Sequence, residues 1–278
     1  FYALLLPHPF AGESRGLARF LLEASVVCLG FGMNLHEVLD AGRSGVAFTA
    51  LSIAVAMICG MALGRVFRVG RKCAFLISAG TAICGGSAIA AVGPIAQATE
   101  EEMAVSLGAI FILNSVALFL FPAIGRAMHL TQAQFGLWSA LAIQDTSSVI
   151  GATARYGTEA MRIGATVKLV RALWIVPISF VAAASMKSRA RIRWPWFIGL
   201  FCLAAVTGSF APALHPAFAQ LDRLGRAGLT VTLFLIGSGL NRKALTQVGI
   251  RPLSQGLVLW LIVGAGTLGL IAAKWIRF

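Results

Sequence analysis

Five consecutive polar residues, Gln144 to Ser148, interrupt an otherwise apolar stretch that reads FGLWSALAIQDTSSVIGATA. Asp145 is followed by Thr146, Ser147 and Ser148, and Asp is one of the residues preferred at the N-cap of a helix. An ionisable side chain within so apolar a stretch is costly, so it tends to have a partner or a task. The pattern predicts a broken helix with a functional carboxylate; a solvated helix end or a structural salt bridge is the alternative.

Two basic residues, Lys168 and Arg171, lie within a second apolar stretch, ATVKLVRALWIVP. Residues three positions apart share one face of a helix, and burial of both cations is costly unless they are neutralised. If both face Asp145, about one unit of positive charge stays uncompensated. This balance favours an interior that binds an anion, with a purely structural role as the alternative.

Small residues crowd a third apolar stretch, AFLISAGTAICGGSAIAAVGP. Gly85 and Gly86 predict a second broken helix, whose new N-terminus at Ser87 would present free N–H groups and a positive dipole end to an anion. Close packing between helices explains the same composition and is the alternative. Asn114, in FILNSVALFLFP, is a further polar candidate, although amides often simply bridge helices.

The elements that position these residues must lie in a membrane. The chain is 58% hydrophobic and 12% charged, with a mean hydropathy of +0.86, far from the composition of a soluble domain. The net charge of +13 does not indicate nucleic acid, because the basic residues stand between apolar blocks rather than in a stripe with aromatics. The cysteines form no CxxC pair, and no motif predicts a catalytic residue, a metal site or a cofactor.

Apolar blocks of about 20 residues match the length that a helix needs to cross a bilayer. The opening FYALLLPHPF is interpreted as the tail of a span whose beginning is missing, and residues 1–278 as one all-α membrane domain. Nine spans are predicted, at residues 16–35, 46–64, 74–93, 103–125, 135–152, 160–184, 194–214, 227–240 and 252–273.

Basic residues in the connections indicate an orientation, because Lys and Arg accumulate on the cytoplasmic side. Alternate connections carry 14 basic residues and one acid, Glu13, whereas the other set carries seven basic and seven acidic residues. Nine crossings would therefore place Arg65–Lys72 in the cytoplasm, and Glu100–Glu102 and the C-terminus outside. A weak internal repeat relates GFGMNLHEVLDAG to GSGLNRKALTQVG at an offset of 207, and inverted repeats are common in secondary transporters.

Five motifs in order resemble the YeiH-type sulfate exporter family of bacteria: GTAICGGSAIAAVGPI, FILNSVALFLFP, QFGLWSALAIQDTSSVIGA, TVKLVRALWIVP and GLTVTLFLIGSGL. The resemblance runs from about residue 15 to the C-terminus. It implies a distant fold-level similarity to bile-acid/sodium and sodium/proton transporters, with inverted repeats and discontinuous helices. By that resemblance, Cys84–Ala88 and Gln144–Ser148 would be the broken positions. The family pattern has His where this chain has Gln144, so a proton-carrying histidine is not carried over.

These observations predict a transporter in the bacterial cytoplasmic membrane that exports or exchanges a small oxyanion, with a proton or sodium as coupling ion. Lys168 and Arg171 would supply charge, and Asp145 would orient them or carry the proton. A sodium- or proton-coupled exchanger using Asp145, a membrane-embedded enzyme and a passive channel stay open as alternatives, and a homodimer is one assembly the protein could form. The residues predicted to bind substrate are Gly85, Gly86, Ser87, Asn114, Asp145, Thr146, Ser147, Ser148, Lys168 and Arg171.

Overall fold

The fold was analysed in a computed structural model, which describes residues 35–186, 196–211, 214–238 and 248–273, Trp275 and some positions between residues 17 and 31. The elements throughout this part of the chain are helices, which confirms the predicted all-α class. They are α1 (Leu35–Val66), α2 (Arg71–Ala82), α3 (Gly86–Val92), α4 (Glu100–Ala127), α5 (Gln132–Ala142), α6 (Thr146–Ala154), α7 (Thr158–Ala172), α8 (Ile175–Met186), α9 (Trp196–Phe210), α10 (His215–Ser238) and α11 (Ile250–Ala272).

Contacts divide the chain into two compact units. The smaller comprises Phe1–Gly45 and Pro195–Arg242, and the larger comprises Val46–Trp194 and Lys243–Phe278. The larger unit contains every residue of the predicted site. It also contains four helical segments long and apolar enough to cross a membrane: Phe48–Val66, Glu101–Ala127, Thr158–Ala184 and Ile250–Ala272.

The third predicted span is a helical hairpin, not a crossing. Helices α2 and α3 form hairpin 1, which turns at residues 83–85 and returns to the end where it began. Lys72 Nζ donates to the Gln97 carbonyl at 2.5 Å, whereas 25 residues of straight helix would separate these positions by about 37 Å. Leu76 and Ala79 of α2 share a core cluster with Ile89 of α3. The two short helices therefore pack side by side.

The fifth predicted span is a second hairpin of the same kind. Helices α5 and α6 form hairpin 2, which turns at residues 143–145. At its base, the rings of Phe135 and Tyr156 stack with centroids 3.8 Å apart, and Tyr156 Oη donates to the Leu130 carbonyl at 2.7 Å. A straight helix would place residues 130 and 156 about 39 Å apart.

The two hairpins enter the larger unit from opposite ends of α4. Near the first turn of α4, Ser106 Oγ contacts Cys73 Sγ of hairpin 1 at 3.3 Å. At its last turn, Arg126 Nη2 donates to the Arg155 carbonyl at the base of hairpin 2, at 3.0 Å. The 28 residues of α4 extend about 42 Å, more than the hydrocarbon thickness. Each hairpin begins with about 17 Å of helix, enough to reach the middle of the membrane.

The hairpins correct the predicted topology. The nine-crossing interpretation was wrong at the third and fifth spans, and it placed Glu100–Glu102 opposite Arg65–Lys72, whereas Lys72 and Gln97 lie at the same end. Among the basic residues, Arg126 alone changes its predicted side, and acidic residues contribute little to orientation. The bias in Lys and Arg therefore still predicts a cytoplasmic position for Arg65–Lys72, now with Glu100–Glu102 at the same end. The predicted repeat lies partly outside the described residues, since 32–34 of its first copy and 239–247 of its second are not among them.

A labelling experiment separates a hairpin from a crossing. In a variant whose five cysteines are replaced by Ser, Arg71→Cys and Glu101→Cys are expected to react alike with an impermeant thiol reagent, and Met128→Cys oppositely. Intact cells should label Met128→Cys, while the other two should require permeabilised membranes. Opposite reactivity of Arg71→Cys and Glu101→Cys would restore the straight crossing, and a complete reversal of the pattern would invert the orientation.

Candidate functional site

The turns of the two hairpins meet. Gly85 closes the turn of hairpin 1 with φ 65° and ψ −125°, and a Cβ added there would lie 3.2 Å from both Cα and Cβ of Asp145 in the turn of hairpin 2. A side chain there would fit only if the turn of hairpin 2 moved by a few tenths of an ångström, and L-residues rarely adopt this backbone conformation. Both helix breaks predicted from sequence are confirmed, and they form one site.

Asp145 is the N-cap of α6. Its Oδ2 accepts a hydrogen bond from the Ser147 backbone N–H at 3.1 Å and a second from Ser147 Oγ. This cap satisfies one of the N–H groups that a helix start leaves without a partner. Among the hydrogen bonds between described residues, those of Lys168 and Arg171 go to backbone carbonyls and not to this carboxylate. Asp145 therefore holds the helix start and does not hold the cations directly.

Asn114, halfway along α4, fixes the turn of hairpin 2. Its Oδ1 accepts from the backbone N–H of Gln144 at 3.1 Å and from that of Asp145 at 3.2 Å. Two N–H donors at one atom identify that atom as the oxygen, so the orientation of the amide follows from its partners. The remaining atom, Nδ2, is buried and has no hydrogen-bond partner in the described part of the chain.

Gln144 joins the two hairpins. Its Nε2 donates to Thr81 Oγ1, near the end of α2, at 2.9 Å, and both side chains are buried. Thr81 was not among the predicted site residues. A threonine in an apolar stretch is common enough that its position beside Gly80 carried no specific signal.

Lys168 caps the first helix of hairpin 2. Its side chain is fully buried, and Nζ donates to the carbonyls of Ile143 at 2.7 Å and Ala140 at 3.3 Å. The last carbonyls of a helix have no partner within it and carry the negative end of its dipole. The half-helix end is thus a natural position for a buried cation.

Arg171 caps the first helix of hairpin 1 in the same way. It is 1% exposed, and Nε donates to the Ala82 carbonyl at 2.7 Å. The terminal atoms Nη1 and Nη2 are both buried without a hydrogen-bond partner among the residues that the structure describes. Buried donors without partners are costly, above all on a charged group. Two donors without partners on one guanidinium form an unsatisfied fork, the geometry that matches two oxygens of a carboxylate or phosphate group.

The charges of the site give a net positive balance. Lys168 and Arg171 contribute two formal positive charges and Asp145 one negative charge. The helix ends largely cancel, because two carboxyl-terminal ends of about −0.5 face two amino-terminal ends of about +0.5. The formal charges therefore sum to one positive unit, and carbonyls rather than Asp145 hold the two cations.

The other predicted residues differ in how far they are buried. Thr146 and Ser147 are buried in the first turn of α6, Ser148 is partly buried, and Gly86 opens α3 against Leu107 and Phe111. Ser87 is exposed on the surface of the described structure. The backbone carbonyls that hold the cations were missed, because no residue type marks them in the sequence.

The fold and the site define a class: a multi-pass α-helical membrane protein whose two helical hairpins meet between its spanning helices. The chain belongs to the UPF0324 membrane protein family. Its residues 12–256 match the family model described as Conserved hypothetical protein 698.

Relatives that match the chain along most of its length bear the same family name. The UPF0324 membrane protein of Bacteroides thetaiotaomicron is 48% identical over 257 residues, covering 91% of this chain and 78% of the relative. That of Bdellovibrio bacteriovorus is 44% identical over 282 residues, covering 99% of this chain and 87% of the relative. That of Geobacter sulfurreducens is 44% identical over 272 residues, covering 98% and 88%. No solved structure matches the chain.

Proposed function

We propose that this protein is a secondary transporter that exports or exchanges a small oxyanion of the sulfate or sulfonate type across the bacterial cytoplasmic membrane. The observation that carries the proposal is Arg171: a buried guanidinium with Nε bonded to the Ala82 carbonyl and both terminal nitrogens without a partner. A guanidinium fork matches two oxygens of an oxyanion. The resemblance to the YeiH-type sulfate exporters supports this ligand class.

The arrangement of the hairpins supports transport rather than catalysis. Non-helical backbone at membrane depth is tolerated where it lines a cavity or is buried in protein, and discontinuous helices at mid-depth hold the ligands of many secondary transporters. Here the two turns approach from opposite ends of α4 and meet at Gly85 and Asp145. A ligand at this junction is separated from each side of the membrane by one hairpin.

Purified protein in proteoliposomes tests the proposal. A binding screen with sulfate, sulfite, thiosulfate and small sulfonates is expected to give saturable binding of at least one anion, followed by counterflow of that anion across the vesicle membrane. Imposed proton and sodium gradients then identify the coupling ion. Flux without saturation or counterflow would indicate a passive channel, and a chemically altered anion would indicate an enzyme. Sodium uptake without anion binding would support a cation exchanger centred on Asp145.

A further inference from the structure

We propose that Asn114 is the second ligand donor of the site and that the oxyanion binds between Asn114 Nδ2 and the Arg171 fork. This inference rests on the proposed anion-binding function and goes further, because it gives a neutral amide on α4 a direct part in selecting an acceptor-rich ligand.

The first argument is the fixed orientation of the Asn114 amide. Oδ1 accepts from the N–H groups of Gln144 and Asp145 at 3.1 and 3.2 Å. If the amide rotated by 180°, its NH2 group would face these two N–H donors and no acceptor. The NH2 group is therefore held as a donor. Asn114 is 3% exposed, and its Nδ2 has no partner in the described ranges. A buried amide donor without a partner is unfavourable, and an acceptor from a ligand removes that cost.

The second argument is that Asn114 and Arg171 are the two ends of one bonded series through both hairpin turns. Asn114 holds the Gln144 backbone, the Gln144 side chain donates to Thr81 Oγ1 at 2.9 Å, and the adjacent Ala82 carbonyl accepts from Arg171 Nε. This series of contacts thus connects Asn114, whose Nδ2 is without a partner among the described residues, to Arg171, whose Nη1 and Nη2 are in the same state. These three atoms are donors, which suits an oxyanion, and the one unpartnered acceptor of the same series in the described residues is Gln144 Oε1.

The third argument is that the bonds of Asn114 to hairpin 2 separate its two functions. Asn114 Oδ1 performs the structural function and Nδ2 is left for a ligand. Asn114→Asp retains an oxygen that accepts from both N–H groups and replaces the remaining donor with an acceptor of nearly equal size. The substitution therefore removes the proposed ligand contact and leaves the two hydrogen bonds to the turn.

The experiment compares Asn114→Asp with Gln144→Glu, which introduces the same charge in the neighbouring side chain while Thr81 can still bond to it. Sulfate, or the anion bound most tightly in the screen, is titrated against both variants. Asn114→Asp is expected to weaken binding roughly 100-fold, because it removes a buried hydrogen bond to the charged ligand and adds a carboxylate that repels the anion. Gln144→Glu is expected to weaken it by roughly tenfold or less, because it adds repulsion alone. Thermal unfolding in detergent should be similar for both.

If Asn114→Asp loses no more anion affinity than Gln144→Glu, the inference is overturned, because the added negative charge alone would then explain the loss. If Asn114→Asp does not fold, Asn114→Ser, whose hydroxyl is shorter but still accepts and donates, is expected to lose about tenfold in affinity, and wild-type affinity in that variant would also overturn it. Failure of the wild-type protein to bind any screened anion would instead refute the proposed function.

Discussion

Arg171→Gln is expected to reduce anion affinity at least 100-fold, the largest effect of any single substitution in the site. A buried charge-assisted pair contributes several kcal/mol, and about 2.7 kcal/mol corresponds to a factor of 100. Glutamine offers a single amide nitrogen with two N–H donors, one of which the Ala82 carbonyl would occupy in place of Arg171 Nε. No fork would be left for the anion. Calorimetric titration of the purified protein with the screened anion measures the loss.

Two variants serve as comparisons for Arg171→Gln. Arg155→Gln removes an equal charge from an exposed position at the base of hairpin 2, and surface charge is largely screened, so affinity should stay within about threefold. Lys168→Met should weaken binding less than Arg171→Gln but lower thermal stability more, because Nζ already donates to the Ala140 and Ile143 carbonyls. Unchanged affinity in both Arg171→Gln and Lys168→Met would exclude α7 from the binding site.

Gly85→Ala is expected to abolish transport and destabilise the larger unit by about 2–4 kcal/mol, the combined cost of a disfavoured backbone conformation and of overpacking. The backbone at Gly85 has φ 65° and ψ −125°, and the new Cβ would meet the Asp145 Cα, Cβ and N atoms at 3.2–3.3 Å. These atoms belong to the turn of hairpin 2 and cannot yield without moving it. Thermal unfolding and anion counterflow measure the two effects.

The adjacent glycine gives the matched control. Gly86 opens α3, and a Cβ there would meet the ring end of Phe111 at 3.3 Å and Leu107 Cδ2 at 3.4 Å. These side-chain ends can shift, and alanine is favoured over glycine within a helix by about 1 kcal/mol. Gly86→Ala should therefore retain stability and counterflow. If Gly85→Ala also retained stability and counterflow, neither would depend on the close contact between the hairpin turns.

The polar residues of the site and the helix breaks could be predicted from the sequence, but the direction of the chain after each break could not. An apolar stretch of 20 residues is long enough for one crossing and equally for two half-helices that fold back. The charge alternation did not separate these cases, because the connections that change sides contain Arg126 and three glutamates, and glutamates contribute little to orientation. Contacts between Lys72 and Gln97, and between Arg126 and Arg155, identify the hairpins.

The two buried cations could also be predicted from the sequence, whereas their hydrogen-bond partners could not. The sequence indicated that Lys168 and Arg171 share one helix face and that burial of both is costly, and Asp145 was the acid that it offered as a partner. The structure pairs them with the carbonyls of Ala82, Ala140 and Ile143.

The sequence by itself determined that this protein lies in a membrane, that Asp145 interrupts one apolar stretch and that Gly85 and Gly86 break another. The tertiary structure decided that both broken stretches turn back, that they meet from opposite ends of α4, and that half-helix carbonyls hold Lys168 and Arg171. The reason is physical: every residue has a backbone carbonyl, so the sequence cannot mark the few that lack a partner. Those few exist only where a helix ends, and the packing of α7 against both hairpins decides which side chains reach them.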